Sequence, residues 1–276
     1  MDLPPRRAVH PGQAGLSLEP FLQQAASLLP EGIGLAAAAF LIFASFFTSA
    51  LTAAMGLGGG VAMLALLGIF IPVAALIPVH GAVQLGSNTG RAWRQRENVR
   101  WSVAGPFIAG SFIGAAIGAF VVVQLPDAVM KIVLGAFIVL ITWVSIPGFD
   151  RIGKAGIAVG STVLAVLSMM LGATGPLLNA MLAQLFPGDR KGLVATHAAG
   201  MTVQHSLKIV VFGLAGFAFA EWIPLVAAMI ASGYAGTIWG TQLLERLPEE
   251  RFRFWFKILL TVLALDMLRR GLMTLF

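Results

Sequence analysis

Long apolar stretches dominate the chain and predict transmembrane helices. Residues 32–90 contain no aspartate, glutamate, lysine or arginine, and further uncharged stretches cover 101–126, 155–188 and 222–244. A helix needs about 20 predominantly apolar residues to cross a bilayer, so each stretch is long enough for at least one span. The pattern predicts an all-α, polytopic membrane protein. A membrane β-barrel is not expected, because its strands would alternate apolar and polar residues in segments of about ten.

The same pattern places ten helices along the chain. They are predicted at 33–54, 58–77, 78–92, 101–124, 128–147, 155–173, 176–187, 192–219, 222–244 and 254–270. The segments 78–92 and 176–187 are too short for full spans, so we expect half-helices or re-entrant hairpins there. Residues 1–31 are predicted to be an N-terminal extramembrane or interfacial segment. Within it, 18–29 has the composition of a short amphipathic helix on the membrane surface.

Composition narrows the classes of function. Apolar residues make up 58% of the chain and charged residues 11%, with a net charge of +6 and no cysteine. The basic residues lie in short loops, where they orient membrane helices, so we expect no nucleic-acid partner. The absence of cysteine excludes a thiol nucleophile and cysteine-ligated metals. We also find no His-Glu-x-x-His motif, which argues against an intramembrane metalloprotease, and no cofactor is implied.

A polar stripe occurs twice in this apolar background, 117 residues apart. Each stripe has offsets of 0, 4, 7, 8 and 11 residues, which lie on one face of a helix. The matched sets are His80, Gln84, Ser87, Asn88 and Arg91, and His197, Met201, Gln204, His205 and Lys208. Such a face in each half of a membrane protein predicts a transport site between two repeats.

The halves align beyond the stripes, and loop charges indicate that they are inverted. Gly58 matches Gly175 at the same offset, and Trp101 matches Trp222 after a small insertion. The 91–100 loop holds four arginines against one glutamate, as expected of a cytoplasmic loop, whereas its counterpart in the second half is nearly uncharged. We therefore predict a first repeat at 32–150 and a second, of opposite topology, at 151–276.

Both repeats contain a glycine turn before the stripe. Residues 55–60 read MGLGGG, and the second half has GATGP at 172–176. Glycine permits the positive φ of a sharp turn, and proline starts a helix well but cannot continue one. We expect a helix break at each turn, with the following half-helix directing its N–H groups at an anion. In contrast, Ser111, Gly114 and Gly118, and also Gly233, Gly236 and Gly240, are expected to pack helices together.

The candidate site combines the turns with the stripes. Intramembrane polar residues are costly and usually face a cavity, and histidine changes charge near neutral pH. His80 and His197 are therefore the predicted proton-coupling residues. No acid is predicted in mid-span, so hydrogen-bond donors dominate and favour a small oxyanion. The predicted substrate-binding residues are Gly58, Gly59, Gly60, His80, Gln84, Ser87, Asn88, Arg91, Thr174, Gly175, Asn179, His197, Gln204, His205 and Lys208.

At these residues the chain resembles the TauE/SafE family, also called the 4-toluene sulfonate uptake permease family. The resemblance covers roughly residues 33–270 and rests on GLGGG at 56–60, the helix ending in a basic loop, the glycine-rich helix after it and the return of this pattern in the second half. It implies proton-linked movement of sulfite, sulfoacetate or a related organosulfur anion across the bacterial inner membrane. In place of the family's second glycine-rich turn, this chain has GATGP.

The leading hypothesis is thus a secondary transporter of a small oxyanion by alternating access, and not an enzyme. Its partners would be the anion and the lipid bilayer, and a homodimer is left open. The alternative is a divalent metal-cation transporter that uses the intramembrane histidines as ligands, since imidazole binds many such metals. The lack of cysteine and of mid-span acids argues against it, and no resident metal is expected.

Overall fold

The computed structural model describes residues 19–55, 58–121, 126–144, 153–243 and 249–275, and these residues contain no strand. The prediction of an all-α protein is therefore confirmed for the described part of the chain. Its helices are α1 (Glu19–Ser27), α2 (Leu35–Met55), α3 (Gly59–Phe70), α4 (Val73–Arg94), α5 (Trp101–Val121), α6 (Asp127–Trp143), α7 (Lys154–Leu171), α8 (Gly175–Ala183), α9 (Arg190–Leu214), α10 (Ile223–Leu243) and α11 (Glu249–Leu275). Short 3₁₀ turns precede α5 and α10.

Within the described residues, four segments are long and apolar enough to cross a membrane: Leu35–Ala53, Trp101–Phe120, Lys154–Leu171 and Phe219–Gly240. The polytopic character of the chain follows from them. In contrast, α3 has 12 residues and α8 has 9. At 1.5 Å per residue these helices are about 18 and 14 Å long, well short of the roughly 30 Å hydrocarbon core.

The predicted boundary between residues 77 and 78 is wrong. The chain breaks instead at Ile71 and Pro72, and α4 runs through Pro78 for 22 residues. Ile71 is extended, with φ −116° and ψ 153°, as expected of a residue that precedes proline. Pro72 then starts α4 at a position where its missing N–H costs nothing. The helix that carries the first stripe is consequently a full-length helix and not a half-helix.

The helices pack in pairs that join the two halves of the chain. The most extensive contacts are those of α2 with α10, α5 with α7, α6 with α11, and α4 with α9. Glycines permit the close approach of the helices in the α2–α10 and α5–α7 contacts. A Cβ on Gly114 of α5 would meet the Thr162 carbonyl of α7, and one on Gly236 of α10 would meet the Phe46 carbonyl of α2. The packing interpretation of these two glycines is confirmed.

The two stripe helices, α4 and α9, lie antiparallel to each other. At one end, the backbone N–H of Arg100, in the loop between α4 and α5, donates to Thr196 Oγ1 near the start of α9 at 3.0 Å. At the other end, the first turn of α4 and the residues following α9 line one cavity. This arrangement brings the polar face of each stripe against the other.

The N-terminal segment and the repeat boundary remain predictions. Helix α1 has no buried residue, and Phe21 on it is exposed, as an interfacial helix would require. Residues 1–18 and the junction near 150 lie outside the described residues, so the proposed division of the chain at 150 stays a prediction.

Candidate functional site

A glycine with positive φ precedes each of the short helices α3 and α8. Gly58 has φ +96° and precedes α3, while Gly172 has φ +80° and ends α7 just before α8. Only glycine adopts this backbone region without cost, which explains why the helices break there. Pro176 then occupies the first turn of α8. In the first glycine turn, at 55–60, residues Gly56 and Leu57 lie outside the described part of the chain.

Each repeat-matched histidine binds a backbone carbonyl in the first turn of a short helix. His80 Nε2 lies 2.8 Å from the Gly60 carbonyl oxygen, and His197 Nε2 lies 3.1 Å from that of Gly175. A carbonyl only accepts hydrogen bonds, so both Nε2 atoms carry the hydrogen. In the neutral ring Nδ1 is then an acceptor, and His80 Nδ1 is buried without a protein partner.

A small cavity of about 30 Å³ lies between the two glycine turns and the two stripes. That volume accommodates one or two water-sized groups. Predicted residues that line it are Gly58, Gly60, His80, Gln84, Asn88, Arg91, Gly175, His197 and His205. The structure thus brings together side chains and turns from both halves of the chain.

Other lining residues were missed from the sequence. They are Thr52, Val61, Ala173, Pro176 and Met201. Most are apolar and gave no chemical signal, but all lie within a few residues of a glycine turn or on a stripe. The sequence indicated them only through their position near a glycine turn or on a stripe.

Several predicted site residues lie outside this cavity lining. Ser87 Oγ is 3.4 Å from Ser49 Oγ of α2, and a Cβ on Gly59 would meet the backbone of α2, so both contribute to helix contacts. Asn179 is half-buried on α8 and does not line the cavity.

Two further predicted residues outside the lining, Thr174 and Gln204, meet beside the second glycine turn. Thr174 Oγ1 donates to Gln204 Oε1 at 3.3 Å. Gln204 Nε2 stays buried without a protein partner, which leaves one amide donor unused.

Two cations are buried at or beside this cavity: Arg91 lines it, whereas Lys208, a predicted site residue, does not. Arg91 is 3% exposed, and its Nη2 donates to Asn88 Oδ1 at 2.9 Å, while Nη1 is buried without a protein partner. The Asn88 side chain is fixed in turn because its Nδ2 donates to the backbone carbonyl of Gln84 at 2.8 Å. Lys208 is 0% exposed and donates to the Gly172 carbonyl at 2.8 Å. Neither cation forms an ion pair with an acid among the described residues.

The histidines do not form a metal-binding cluster. The rings of His80 and His205 are 6.0 Å apart between centroids. The Nε2 atoms of His80 and His197 are directed at carbonyls, which removes them as ligands. Across the described residues, no group of three or more histidine and acid side chains is close enough to hold a metal ion.

A second, larger cavity of about 700 Å³ lies at the end of the molecule where α4 begins. Its lining is mainly apolar, with Asp127 and Glu221 as its acids. Ile77 and Pro78 form part of the wall, and they precede His80 by three and two residues. The large cavity therefore approaches the small one along α4.

At the opposite end, next to the basic loop, Arg100 contacts the segment between α8 and α9. Its Nη2 lies 2.7 Å from Asp189 Oδ2, its Nη1 donates to the Leu185 carbonyl at 3.0 Å, and its guanidinium lies 4.4 Å from the Phe186 ring centre. Asp189 also caps α9 by accepting from the Gly192 N–H at 2.8 Å. The hydrogen bond from the Gly192 N–H lowers the pKa of Asp189, and the Arg100 guanidinium lowers it further.

Comparisons with known proteins agree with this membrane architecture. The family model described as "Sulfite exporter TauE/SafE" matches residues 41–267. A curated relative, the probable inner membrane transporter protein TsaS of Comamonas testosteroni, is 28% identical over 178 residues, which is 61% of this chain and 72% of that protein. No solved structure matches the chain significantly.

Proposed function

The chain belongs to the sulfite exporter TauE/SafE family, and from this membership and the buried cations we propose that it is a secondary transporter of a small oxyanion. Sulfite, sulfoacetate and other organosulfur or organic anions are the substrate candidates. The similarity to a probable inner membrane transporter and the four apolar segments support a location in the bacterial inner membrane. The same evidence favours transport over catalysis, so we propose no enzymatic activity.

The observation that carries the proposal is a pair of buried cations, neither of which forms an ion pair with an acid among the described residues. Arg91 and Lys208 are 3% and 0% exposed. Removing one partner from a buried ion pair costs about 3–5 kcal/mol, because the other charge is left uncompensated. An anion bound between Arg91 Nη1 and the Lys208 ammonium would supply that compensation. The same positive field would repel a divalent cation, which weakens the metal-transport alternative.

Two inverted repeats would explain how the site is built. In the proposed correspondence, α2 to α6 match α7 to α11. The α2–α10 contact then corresponds to the α5–α7 contact, and α4–α9 and α6–α11 each correspond to themselves. The bonds of His80 and His197 to carbonyls of α3 and α8 are a second equivalent pair. Antiparallel packing of α4 and α9 is what an in-plane pseudo-two-fold axis requires.

Alternating access is supported by the difference between the two ends. The 700 Å³ cavity opens the molecule where α4 begins, and the Arg100 contacts close it at the other end. Under the repeat, Pro72 corresponds to Asp189 and Glu221 to Arg100. Pro72 and Glu221 line the open cavity, whereas Asp189 and Arg100 form the closing ion pair. During transport the open end at Pro72 and Glu221 would close while the closed end at Asp189 and Arg100 would open. The 30 Å³ site would widen as the anion enters.

Flux measurements in proteoliposomes test the proposal. Sulfite, sulfonates, carboxylates and Zn²⁺ are offered with and without a pH gradient, and an internal pH dye reports proton movement. We expect saturable anion flux accompanied by protons, and no Zn²⁺ flux. Arg91→Gln should reduce anion flux at least tenfold, whereas Arg94→Gln, an exposed arginine on the same helix, should not. Folded protein that moves no anion would overturn the proposal.

A further inference from the structure

The ammonium of Lys208 lies at the end of a broken helix. Helix α7 ends at Leu171, and Gly172, with φ +80°, turns the chain towards α8. The Lys208 Nζ donates to the Gly172 carbonyl at 2.8 Å, although Lys208 itself belongs to α9. The side chain therefore connects two helices that lie far apart in sequence.

The carboxyl end of a helix is a favourable place for a cation. The last four carbonyls of a helix have no partner within it, and the aligned peptide dipoles add a partial negative charge. In secondary transporters with discontinuous helices, such ends and the unwound carbonyls beside them coordinate a coupling ion such as Na⁺. At α7 of this chain, a covalently attached ammonium occupies the equivalent position.

The surroundings of Lys208 fit its extended stem. A Cβ on Gly81 of α4 would come within 2.8 Å of Lys208 Cδ. The glycine thus leaves room for the stem between α9 and α4. Its burial is complete, at 0% exposure, so the ammonium cannot exchange its carbonyl partner for water without a change in the packing of these helices.

We propose that Lys208 is a tethered counter-cation, which stabilises the carboxyl end of α7 and faces the substrate anion in place of a diffusible metal ion. This role rests on the proposed anion transport, because the ammonium needs an anion to act on. It makes transport independent of Na⁺ and K⁺. Through its bond to the Gly172 carbonyl, Lys208 also fixes the geometry of the second glycine turn.

Chemical rescue tests the role of Lys208. Sulfite flux into proteoliposomes is measured for the wild-type protein, Lys208→Ala and Lys208→Met, each in buffers based on Na⁺, K⁺ or N-methylglucamine. We expect the wild type to give the same flux in all three buffers. Both variants should lose flux at least tenfold. Ethylammonium should restore at least a third of the wild-type flux to the alanine variant, which has space for it, but none to the methionine variant.

The outcomes separate this inference from the proposed function. Absence of any anion flux in the wild type would refute the transport proposal itself. Wild-type flux that requires Na⁺ or K⁺ would refute the tethered cation alone, as would undiminished flux in Lys208→Met. Lys191→Ala, at an exposed lysine in the first turn of α9, is the matched control and should neither lose flux nor respond to ethylammonium. Should the alanine variant fail to fold, the wild-type ion dependence and the methionine variant still decide.

Discussion

Arg100→Ala should open the molecule at its basic end. The substitution removes an ion pair to Asp189, a hydrogen bond to the Leu185 carbonyl and a contact with the Phe186 ring. The ion-pair side chains are 43% and 38% exposed, so solvent screens the pair and it contributes little. The hydrogen bond adds about 0.5–1.5 kcal/mol, and the ring contact about 0.5–1 kcal/mol. A loss of about 1.5 kcal/mol increases the open population roughly tenfold.

A single introduced cysteine measures this opening. The chain has no native cysteine, so Ala195→Cys has no background of other thiols. Ala195 is 0% exposed and packs with Val99 and Ala104 in the contact between α9 and the start of α5. A membrane-impermeant thiol reagent applied from the basic side should label this cysteine about tenfold faster when Arg100 is alanine.

Three further variants serve as controls for this prediction. Asp189→Asn keeps the oxygen that caps α9 but loses the charge, so it should raise the labelling rate about two- to fivefold. Adding Asp189→Asn to Arg100→Ala should raise the labelling rate by less than the two- to fivefold effect of Asp189→Asn alone, since both substitutions remove the same ion pair. Arg96→Ala, whose guanidinium stacks on Trp93, should leave the rate unchanged. Equal labelling in Arg100→Ala and the parent would refute the closing role.

Two other predictions follow from the packing of the stripe helices and from the closing contact. Gly81→Ala should lower sulfite flux at least fivefold, because the new Cβ would come within 2.8 Å of Lys208 Cδ; Gly105→Ala, at a position with open space, is the control, and equal flux in the two variants would contradict the argument. The labelling rate of the parent cysteine reporter, corrected for thiol ionisation, should stay constant from pH 8 to pH 5. The native pKa of Asp189 lies below its unfolded value of about 3.9, so the stabilisation it provides is full above that value and is lost only as the pH falls further. A tenfold rise by pH 5 would show that another group controls closure.

The apolar pattern predicted the helical architecture because bilayer physics leaves few alternatives. Charge-free stretches as long as 32–90 must form helices, and the glycine turn at 172–176 marked a real break. The boundary at 77/78 failed because the break falls at Ile71 and Pro72, and α4 accommodates Pro78 within a full-length helix. Local propensity alone could not decide between two prolines six residues apart.

The site could be predicted where a polar residue stands in an apolar segment. The stripes identified His80, Arg91 and His197 without knowledge of how the helices pair. The carbonyl partners of the histidines and the link from Lys208 to Gly172 were not predictable, because they depend on the antiparallel contact of α4 with α9. Asn179 was selected because it is polar and close to the second glycine turn, and it lies outside the cavity lining, since side-chain direction on α8 is set by packing.

The location of a bound anion tests the central claim most directly. Selenite has the shape and charge of sulfite, and its selenium gives an anomalous X-ray signal that marks its position. In crystals of the transporter grown with selenite, we predict a selenium peak between the two glycine turns, with an oxygen within hydrogen-bond distance of Arg91 Nη1 and further contacts from Lys208 or the histidines. A peak that lies only elsewhere, or no peak at concentrations that saturate transport, would contradict the account.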